Sequence, residues 1–469
     1  MAGRFAIRRE PIAALVGLLA LTGVFSVAAD AGAASRGTLM WCRRYDGPAS
    51  SDDVAYSIAV APDGARAFVT GSSEGFPVAS PSIASDDYAT VAYDAATGAR
   101  LWVRRYDGPV HGTDQAVDIA VSPDGSAVFV TGFSEARGGP GWATIAYDSA
   151  TGATLWSRRH HGGAAALAVS PDGATVLVVG SAPSTNDTSD YATLAYDART
   201  GATIWARRYD GPAGLDDAAS AVFATAGTVF VTGSSFGSDA TWGDYATIAY
   251  DSTDGSRRWV RRLDGPGHGY DFAHAVVGST DASRVFVTGE SANRLGSDSD
   301  FATIAYDGIT GERLWTRRYG THLVSYALDA DATGNGSVVF VTGSLFRAAS
   351  AGDFGTIAYD GATGARIWAK RYSSPGVWND TALAIMVNAA ATSVYVTGLS
   401  HRGSTGEDVT TFAYDASTGS RVWSRFFSSA DAQTDVGRAL DVSPDGAAVY
   451  VGGSVSSSSA DYITLAYVG

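Results

Sequence analysis

Six aspartates recur at one point of a repeating sequence, and they are the side chains best suited to chemistry: Asp53, Asp114, Asp216, Asp271, Asp380 and Asp435. Carboxylates are hard oxygen ligands, so a ring of them can hold Ca²⁺ or another cation. The alternative is that each aspartate accepts hydrogen bonds from backbone N–H groups at a turn. Repetition in six copies favours the turn role, because a ligand site normally breaks the symmetry of its scaffold.

Histidines and two tryptophans supply a second candidate site, a ligand-binding face made of loops: His111, His161, Trp242, His268, His322, Trp378 and His401. We expect His160 in the same loop as His161, and His274 in a strand. The histidines lack a zinc-binding spacing such as HExxH, so a plain surface role is favoured for them. The aromatic residues can stack on a sugar or a peptide, since loops on a rigid scaffold are common binding sites.

A repeat of about 55 residues must position these side chains, because a fixed period of this size indicates a repeat architecture. The period is marked by eight tryptophans, to which we assign a structural role: Trp41, Trp102, Trp156, Trp205, Trp259, Trp315, Trp368 and Trp423. Each unit contains four short runs of β-branched and aromatic residues separated by Gly, Pro, Asp and Ser, which predicts four strands, A to D.

In the first complete copy we predict strand A over 54–61, strand B over 67–70, strand C over 88–93 and strand D over 100–106. Four-stranded units at this spacing are typical of the blades of a β-propeller, in which strand A lines a central channel. A glycine just after strand B is expected to need a positive φ or a close backbone approach. It recurs in all eight copies: Gly71, Gly132, Gly180, Gly233, Gly289, Gly343, Gly398 and Gly453.

The spacing A-x-D-x-x-T-G-x-x-x-W, as in Ala92 to Trp102, resembles the tryptophan-docking motif of quinoprotein-type, PQQ-like β-propellers. The surrounding sequence motifs, DYATxAYD and VTG, are similar to the bacterial β-propeller repeat known as SBBP. The resemblance covers roughly residues 36–469 and implies an all-β, eight-bladed disc in which the tryptophan stacks between blades. It also implies, for an enzyme of that family, a vicinal cysteine pair over a quinone. This chain has one cysteine, Cys42, so we expect no quinone cofactor, with Ca²⁺ as the one cofactor left open.

The two ends of the chain are expected to close the propeller. Residues 1–33 have arginines followed by an apolar run and small residues, which is the order of a secretory signal peptide; an uncleaved anchor is the alternative. Residues 34–469 then form one domain that begins with a strand D. That strand completes the last blade, whose other three strands come from the C-terminus, and it removes an open edge.

The net charge of the chain narrows the classes of partner. The formal net charge is −15, which disfavours nucleic acid and anionic membranes.

Charged residues also recur on the two outer strands of each unit. An arginine pair follows most of the tryptophans, as in Arg104 and Arg105, and an aspartate opens most C strands, as does Asp87. Strand C pairs with strand D, so we expect a solvated ladder of ion pairs at the outer edge, each contributing little.

These observations favour a secreted bacterial protein that acts as a non-enzymatic scaffold in the extracellular space or the cell envelope. Its loop-bearing face would bind a protein, a glycan or a cation, and we expect the protein itself to be monomeric. The alternative is a hydrolase, lyase or quinoprotein-like dehydrogenase that uses acidic and histidine residues at the channel mouth. We find no phosphate-binding loop in the sequence.

Overall fold

The computed structural model describes residues 34–75, 85–184, 187–238, 241–294, 298–320, 323–347, 350–376, 378–403, 406–429, 434–456 and 459–469. The proposed leader and His322 lie outside these residues. Residues Ser35–Gly469 belong to one compact unit. Within the described part of the chain, no helix has the length and apolar character needed to cross a bilayer.

The regular structure consists of 32 strands. Blade 1 contains β2 (Asp53–Val60), β3 (Arg66–Glu74), β4 (Asp86–Asp94) and β5 (Arg100–Tyr106). Blade 2 contains β6 (Asp114–Val121), β7 (Ala127–Ser134), β8 (Gly141–Asp148) and β9 (Thr154–His161). Blade 3 contains β10 (Gly163–Val169), β11 (Thr175–Pro183), β12 (Ser189–Asp197) and β13 (Thr203–Tyr209). Blade 4 contains β14 (Asp217–Ala224), β15 (Thr228–Ser238), β16 (Thr241–Asp251) and β17 (Arg257–Leu263).

The second half of the chain repeats this order. Blade 5 contains β18 (Asp271–Gly278), β19 (Arg284–Arg294), β20 (Asp298–Asp307) and β21 (Arg313–Tyr319). Blade 6 contains β22 (Ser325–Ala332), β23 (Val338–Arg347), β24 (Ser350–Asp360) and β25 (Arg366–Tyr372). Blade 7 contains β26 (Thr381–Val387), β27 (Ser393–His401), β28 (Glu407–Asp415) and β29 (Arg421–Phe427). Blade 8 contains β30 (Thr434–Val442), β31 (Ala448–Ser456), β32 (Ala460–Val468) and β1 (Leu39–Tyr45).

The strands form eight four-stranded antiparallel blades, which confirms the predicted fold class. Six blades are separate sheets, and blades 7 and 8 are joined into one eight-stranded sheet by a single parallel pair, Glu407 with Thr434. The first strand of each blade contacts the first strands of both neighbouring blades, including β30 with β2, so these strands form a closed ring. They surround the axis of the propeller, as the repeat predicted.

Both chain ends build blade 8 together. Strand β1 pairs antiparallel with β32, from Leu39 opposite Tyr467 to Tyr45 opposite Tyr462. The Gly37 N–H donates to the Val468 carbonyl at 2.7 Å. The predicted closure of the last blade by the N-terminal strand is therefore present, and the outer edge of β32 is covered.

The apolar core lies between blades. Each of the eight clusters of buried apolar side chains contains residues of two neighbouring blades, as Trp41 and Tyr450 of blade 8 pack with Tyr93 of blade 1. Strands buried on both faces lack polar alternation, which explains the apolar character of the repeat. No blade can bury its faces alone, so each depends on its neighbours.

The repeated turn between the third and fourth strands docks onto the preceding blade. Gly98 has a φ of 68°, and a Cβ at this position would lie 2.6 Å from the Trp41 ring. The Trp41 Nε1–H donates to the Ala95 carbonyl at 2.9 Å. The same glycine–tryptophan contact recurs around the ring: Gly37, Gly98, Gly152, Gly201, Gly255, Gly311, Gly364 and Gly419.

The glycines predicted to follow the second strand lie inside it. Gly71 falls within β3 and does not have a positive φ, so only the expectation of a close approach is confirmed. A Cβ on Gly71 would lie 1.9 Å from the Val54 carbonyl oxygen. The register between β2 and β3 shifts between Ala55 and Ser57, and this bulge brings the Val54 carbonyl onto the glycine.

Candidate functional site

The two faces of the disc differ in what connects their strands. On one face, the β2–β3 and β4–β5 connections are short turns built on Gly64 and Gly98; we call this the turn-bearing face. On the other, segments of variable length join β3 to β4 and each blade to the next; we call this the loop-bearing face. Among the described residues, the aspartates, loop histidines and loop tryptophans that the sequence singled out lie toward the loop-bearing face.

Each aspartate at the start of an innermost strand fastens the loop that precedes it. The Gly47 N–H donates to Asp53 Oδ2 at 2.6 Å, and the Gly108 N–H donates to Asp114 Oδ2 at 2.7 Å. Asp271, Asp380 and Asp435 accept in the same way from the backbone six residues earlier. Burial raises the pKa of Asp53, Asp114 and Asp271 to about 6, against the lowering effect of these hydrogen bonds. The geometry matches the turn role.

Asp217, and not Asp216, occupies this position in blade 4. Asp217 is 1 % exposed and accepts from the Gly211 N–H at 2.6 Å. Asp216 is exposed and accepts from the Ser189 N–H, at the start of β12. The placement of Asp216 in the aspartate ring is therefore wrong by one residue, because two consecutive aspartates precede the strand.

Most ion pairs at the blade edges are largely buried, which corrects the expectation of a solvated ladder, although Arg44 and Arg208 are 48 % and 49 % exposed. Arg105 pairs with Asp87 at 2.8 Å, and the two side chains are 22 % and 12 % exposed. The same pairing joins Arg262 to Asp244. These carboxylates lie deep enough that burial raises the pKa of Asp87 and Asp244 despite the neighbouring guanidinium.

The first arginine of each pair has a different partner that the sequence did not reveal. Arg104 donates from Nε to the Gly152 carbonyl at 2.6 Å and from Nη2 to the Thr151 carbonyl at 2.7 Å, both in the next blade. Its guanidinium also lies 5.9 Å from the Trp102 ring centroid. Six other arginines bind the next blade's turn in this way: Arg43, Arg158, Arg207, Arg261, Arg317 and Arg425.

Four groups of three aspartates lie at the blade junctions of the loop-bearing face, with carboxylate oxygens within 4.8 Å of one another: Asp46, Asp53 and Asp461; Asp87, Asp107 and Asp114; Asp190, Asp210 and Asp217; Asp244, Asp264 and Asp271. An arginine accompanies each group and supplies positive charge where a cation would bind. In the third group that arginine is displaced. Arg208 Nη1 is 3.4 Å from Asp190 Oδ2, and its Nη2–H donates to the Pro183 carbonyl instead.

Arg208 also lacks a partner that the matching arginines of blades 1 and 4 have. In blades 1 and 4 the matching arginine also binds a serine hydroxyl, Ser73 or Ser235. In blade 3, Ala182 stands at that position, opposite Asp190. The Asp190 Oδ1 atom is buried and accepts no hydrogen bond from the described residues. Within those residues, Asp53 Oδ1 and Asp244 Oδ1 in two other groups are unpaired in the same way, so the longer arginine contact is what sets this group apart.

Two of the predicted loop histidines are paired with aspartates. His111 Nδ1 lies near Asp107, and His268 Nδ1 is 2.6 Å from Asp264 Oδ2. The hydrogen bond with Asp107, followed by its charge, raises the pKa of His111. Both imidazoles are mostly exposed, at 59 % and 66 %. They lie on different blade junctions, so they do not form one site.

Four residues expected in loops are strand residues. His160 and His161 are the last two residues of β9. Only Gly162 separates β9 from β10, so there is no loop in which these histidines could lie. His401 ends β27, and Trp242 lies in β16. His274 is in β18, as expected, where burial lowers its pKa.

The exposed aromatic side chains gather at two places on the loop-bearing face. Trp242 contacts Tyr270 with ring centroids 4.9 Å apart, and Tyr270 stacks on Phe272 at 5.6 Å. Elsewhere Trp378 stacks on His401 at 3.8 Å. The structure does not join the predicted face into a single pocket: it separates Trp242 and His268 from Trp378 and His401, and His111 and His161 lie at other blades.

Four channel-lining aspartates were missed by the sequence analysis. Asp118, Asp329, Asp331 and Asp441 lie on innermost strands, and each accepts a backbone N–H of the next blade. Asp441 Oδ2, for example, accepts from Val60 at 2.6 Å. Burial raises the pKa of Asp441 and Asp329 to about 7 and that of Asp118 and Asp331 to about 6. The sequence pattern that could have indicated these residues is an aspartate inside an otherwise apolar predicted strand.

The remaining nucleophile candidate, Cys42, packs with the apolar cluster between blades 7 and 8. Burial raises the pKa of its thiol, ahead of the lowering effect of Arg43 and Arg44. A thiol with a raised pKa has little thiolate at neutral pH and is a poor nucleophile. The arrangement fits a buried thiol without a chemical role.

Comparison with known proteins places these features in context. A family model described as outer membrane protein assembly factor BamB matches residues 27–182, 141–298 and 300–461. No curated protein sequence matches the chain.

Several solved structures share the fold. The chain is similar to Sqt1 of Chaetomium thermophilum bound to the N-terminus of the ribosomal protein L10, with a TM-score of 0.58 and 11 % identity over 91 % of this chain and 98 % of that one. It is similar to the Dos1 propeller, with a TM-score of 0.58 and 12 % identity over 91 % and 95 %. It is also similar to the quinohemoprotein alcohol dehydrogenase of Comamonas testosteroni, with a TM-score of 0.54 and 14 % identity over 92 % and 76 %. Identities this low show a shared fold and nothing about activity.

Proposed function

The chain belongs to the family described as outer membrane protein assembly factor BamB, and on this premise we propose that it is a non-enzymatic scaffold whose loop-bearing face binds a partner protein. The turn-bearing face is occupied by contacts that hold the blades together. On the loop-bearing face the contacts between blades, such as Gln115 with Asp86 and Ala460 with Asp52, differ from one junction to another, so this surface can vary from blade to blade. A binding role fits such a surface.

The observation that carries the proposal is the position of the exposed aromatic side chains. Trp242, Tyr270 and Trp378 are 46 %, 41 % and 47 % exposed, and all three lie on the loop-bearing face. Rigid aromatic side chains contribute large contact areas to protein interfaces at low entropic cost. Exposed aromatic side chains on a rigid propeller are therefore suited to bind a partner protein.

The related proteins support a protein partner. Sqt1, which shares the fold, is bound to the N-terminus of a ribosomal protein, and the family description names an assembly factor. We infer that the present chain likewise holds a polypeptide. A glycan remains the second class of partner for the aromatic surface, and nucleic acid is disfavoured by the net charge of −15.

The proposal includes an extracytoplasmic location. Residues 1–33 have the charge and hydropathy order of a secretory leader, and we propose that they direct a monomeric protein to the envelope or the extracellular space. N-terminal sequencing of the protein recovered from its native host tests this part. A mature chain beginning near Ala34 is the expected result, whereas an intact Met1 on a cytoplasmic protein would contradict it.

A capture experiment tests the proposed function. The full-length protein, carrying a photo-crosslinker near Trp242 or Trp378, is expressed in its host, and crosslinked partners are identified by mass spectrometry. We expect one polypeptide to crosslink from the loop-bearing face and to be lost in the Trp242→Ala, Trp378→Ala double variant. The matched control is Leu101→Ala, Leu155→Ala, which removes side chains of similar exposure, 46 % and 50 %, from the outer strands. Equal capture by both double variants would contradict a role for the loop-bearing face.

The enzymatic alternative is distinguished by a separate measurement. A hydrolase, lyase or quinoprotein-like dehydrogenase would require activity that depends on the carboxylates of the channel mouth. Asp114→Ala removes one of them, and Asp380→Ala is its matched control at another junction, since both accept a backbone N–H in the same way. Turnover of any substrate that is lost only in Asp114→Ala, with folding intact, would favour the enzyme.

Cation binding is a second candidate function, favoured by the displaced Arg208 beside Asp190, Asp210 and Asp217. The buried Asp190 Oδ1 and the neighbouring carboxylates are oxygen ligands of the type that Ca²⁺ prefers. Calorimetric titration with CaCl₂ is expected to give one site that disappears in Asp190→Ala and persists in Asp87→Ala, whose arginine is engaged. Binding that is unchanged in Asp190→Ala, or absent from the intact protein, would exclude this site.

A further inference from the structure

Three aromatic rings form one surface at the junction of blades 4 and 5. Trp242 is the second residue of β16, Tyr270 immediately precedes β18, and Phe272 is the second residue of β18. The Trp242 and Tyr270 planes are tilted by 51°, whereas Tyr270 and Phe272 are nearly parallel at 13°. Phe272 packs against Gly243, where an added Cβ would lie 3.5 Å from the ring. We call Trp242, Tyr270 and Phe272 the aromatic cleft.

The aromatic cleft breaks the symmetry of the repeat. Trp242 lies two residues before Asp244, and the residues two positions before the matching aspartates are small or polar: Ser85, Thr188, Asp298, Ala351, Gly406 and Ser459. The positions that match Tyr270, immediately before the fastening aspartate, are also not aromatic: Asp52, Thr113, Asp216, Asn379 and Thr434. The rest of the junction follows the repeat, so packing of the blades does not account for these rings.

The rings are costly to leave in water. Trp242 is 46 % exposed and Tyr270 is 41 % exposed, although the neighbouring strands are well packed. The backbone beneath them is fixed: the Ala292 N–H donates to the Tyr270 carbonyl, and Asp271 accepts from the Gly265 N–H. An exposed apolar patch held on rigid backbone indicates an interaction site.

The charges around the aromatic cleft are negative. Asp244, Asp264 and Asp271 form one of the three-aspartate groups, and Glu290 lies opposite Phe272 across the β18–β19 pair. Burial raises the pKa of Glu290, with Asp271 acting in the same direction. The positive groups nearby are already engaged, since Arg262 pairs with Asp244 and His268 pairs with Asp264.

A cationic side chain fits both features. Lysine and arginine bind the faces of tryptophan and tyrosine rings and are attracted by carboxylates, and the formal net charge of −15 favours approach of a basic partner. Flat stacking on a sugar ring needs an open, planar platform, and the 51° tilt between the two exposed rings makes a cleft instead.

From this geometry we propose that the aromatic cleft is the docking site for a lysine- or arginine-containing segment of the partner protein. The cationic side chain lies over the Trp242 and Tyr270 rings, and the carboxylates of the junction neutralise its charge. The proposal rests on the scaffold function and names the chemistry of its partner. Charge complementarity sets the specificity, and stacking on the rings holds the segment in place.

A peptide-binding assay tests the proposal with the full chain. The probe is a fluorescein-labelled hexapeptide of alternating arginine and alanine, and the matched peptide has glutamine in place of arginine. Fluorescence anisotropy is expected to show binding of the arginine peptide that weakens between about 50 mM and about 300 mM NaCl. Trp242→Ala is expected to weaken binding about ten-fold, and Trp242→Phe less.

Leu101→Ala is the matched control, because Leu101 is as exposed as Trp242, at 46 %, and lies on the outer strand β5. A change of less than about two-fold is expected there, within the range of a residue outside the contact. Equal effects of Trp242→Ala and Leu101→Ala, equal affinity for the glutamine peptide, or displacement of the probe by cellohexaose would overturn the docking site. Cellohexaose displacement would assign the surface to a glycan.

The outcomes separate this inference from the scaffold function. A crosslinked partner protein whose capture is unaffected by Trp242→Ala would overturn the docking site and leave the scaffold role standing. Arginine-peptide binding at Trp242 without any captured partner would overturn the scaffold role and leave a bare cation-binding surface.

Discussion

The turn-bearing and loop-bearing faces of this propeller are built from the same repeat and are used in opposite ways. On the turn-bearing face every blade makes the same contacts with its neighbour: a tryptophan ring on a glycine with positive φ and, in most blades, an arginine on the carbonyl of that glycine. On the loop-bearing face, an aspartate that accepts a hydrogen bond from the preceding loop is repeated, but the residues around it change from blade to blade.

The difference shows where fold and function are encoded. Contacts that recur in every blade hold the ring, because each blade buries its apolar faces only against its neighbours. Features that occur once, such as the aromatic cleft, the displaced Arg208 and the Trp378–His401 stack, have no equivalent role in the ring. Damage to a repeated contact should therefore reduce stability, and damage to a single feature should reduce binding.

The largest loss of stability is expected from Gly98→Ala. The added Cβ meets the Trp41 ring at 2.6 Å, and a φ of 68° is strained for alanine. We expect the free energy of unfolding to fall by about 3 kcal/mol, measured by chemical denaturation.

Gly403→Ala is the control for Gly98→Ala. Gly403 has a φ of 62° but open space around its Cα, so the substitution should cost only about 1 kcal/mol of backbone strain. Equal losses in the two variants would show that the tryptophan contact does not contribute.

A smaller loss is expected from Arg104→Ala, which removes two hydrogen bonds to the next blade. We expect about 2 kcal/mol from the lost charge-assisted bonds and the lost packing on Trp102, read from the same denaturation curves. Arg199→Ala, at an exposed arginine of the turn after β12, should change stability by less than about 0.5 kcal/mol. If the two variants behaved alike, the arginines would be surface charges only.

The pH dependence of stability tests the channel aspartates. Burial raises the pKa of Asp118, Asp329, Asp331 and Asp441 above the unfolded value to about 6 or 7. The folded state therefore binds more protons, and the stability that this supplies at low pH is lost as pH rises through these values. Burial also lowers the pKa of His274 and of His160, and these two histidines act in the opposite direction to the four carboxyl groups.

We accordingly expect the Tm to fall on the order of 5 °C between about pH 5.5 and about pH 8, measured by differential scanning calorimetry. Asp441→Ala should flatten this dependence, whatever its effect on the Tm itself. A Tm that rises over the same range would contradict the account of the channel.

The smallest effect on stability is expected at the loop-bearing face. Trp242→Ala removes a half-exposed indole side chain that is not part of the repeated packing between the blades, so the free energy of unfolding should change by less than about 1 kcal/mol. A loss as large as that of Gly98→Ala would mean that the aromatic cleft is part of the core packing, and the comparison between the faces would fail.

The repeat made most of the fold predictable from the sequence, because turn residues and tryptophans mark the same places in each unit. Strand β5 matches its predicted bounds, 100–106. Strand β3 extends to Glu74, beyond the predicted end at residue 70, because Gly71 faces a bulge in β2 instead of ending the strand. A bulge in the partner strand leaves no mark in the sequence of β3.

The candidate site was less predictable, because it depends on small shifts between copies. Because Asp216 and Asp217 are adjacent, the sequence did not show that Asp217 is the one that accepts the Gly211 hydrogen bond. Because Gly162 alone connects β9 to β10, His160 and His161 lie in a strand and not in a loop. The importance of Tyr270 and Phe272 was not seen, since their contact with Trp242 joins two blades. Contacts between blades follow from the register of the ring and not from any local pattern.

Closure of the ring by β1 is the claim on which both faces depend, and hydrogen–deuterium exchange measures it directly. The backbone amides of β1, Leu39–Tyr45, pair with β32 in the same way that β5 pairs with β4. The account predicts that β1 and β5 are protected to a similar degree in the folded protein. Rapid exchange throughout β1, with β5 still protected, would show a loose N-terminus and an open ring, and would contradict the account.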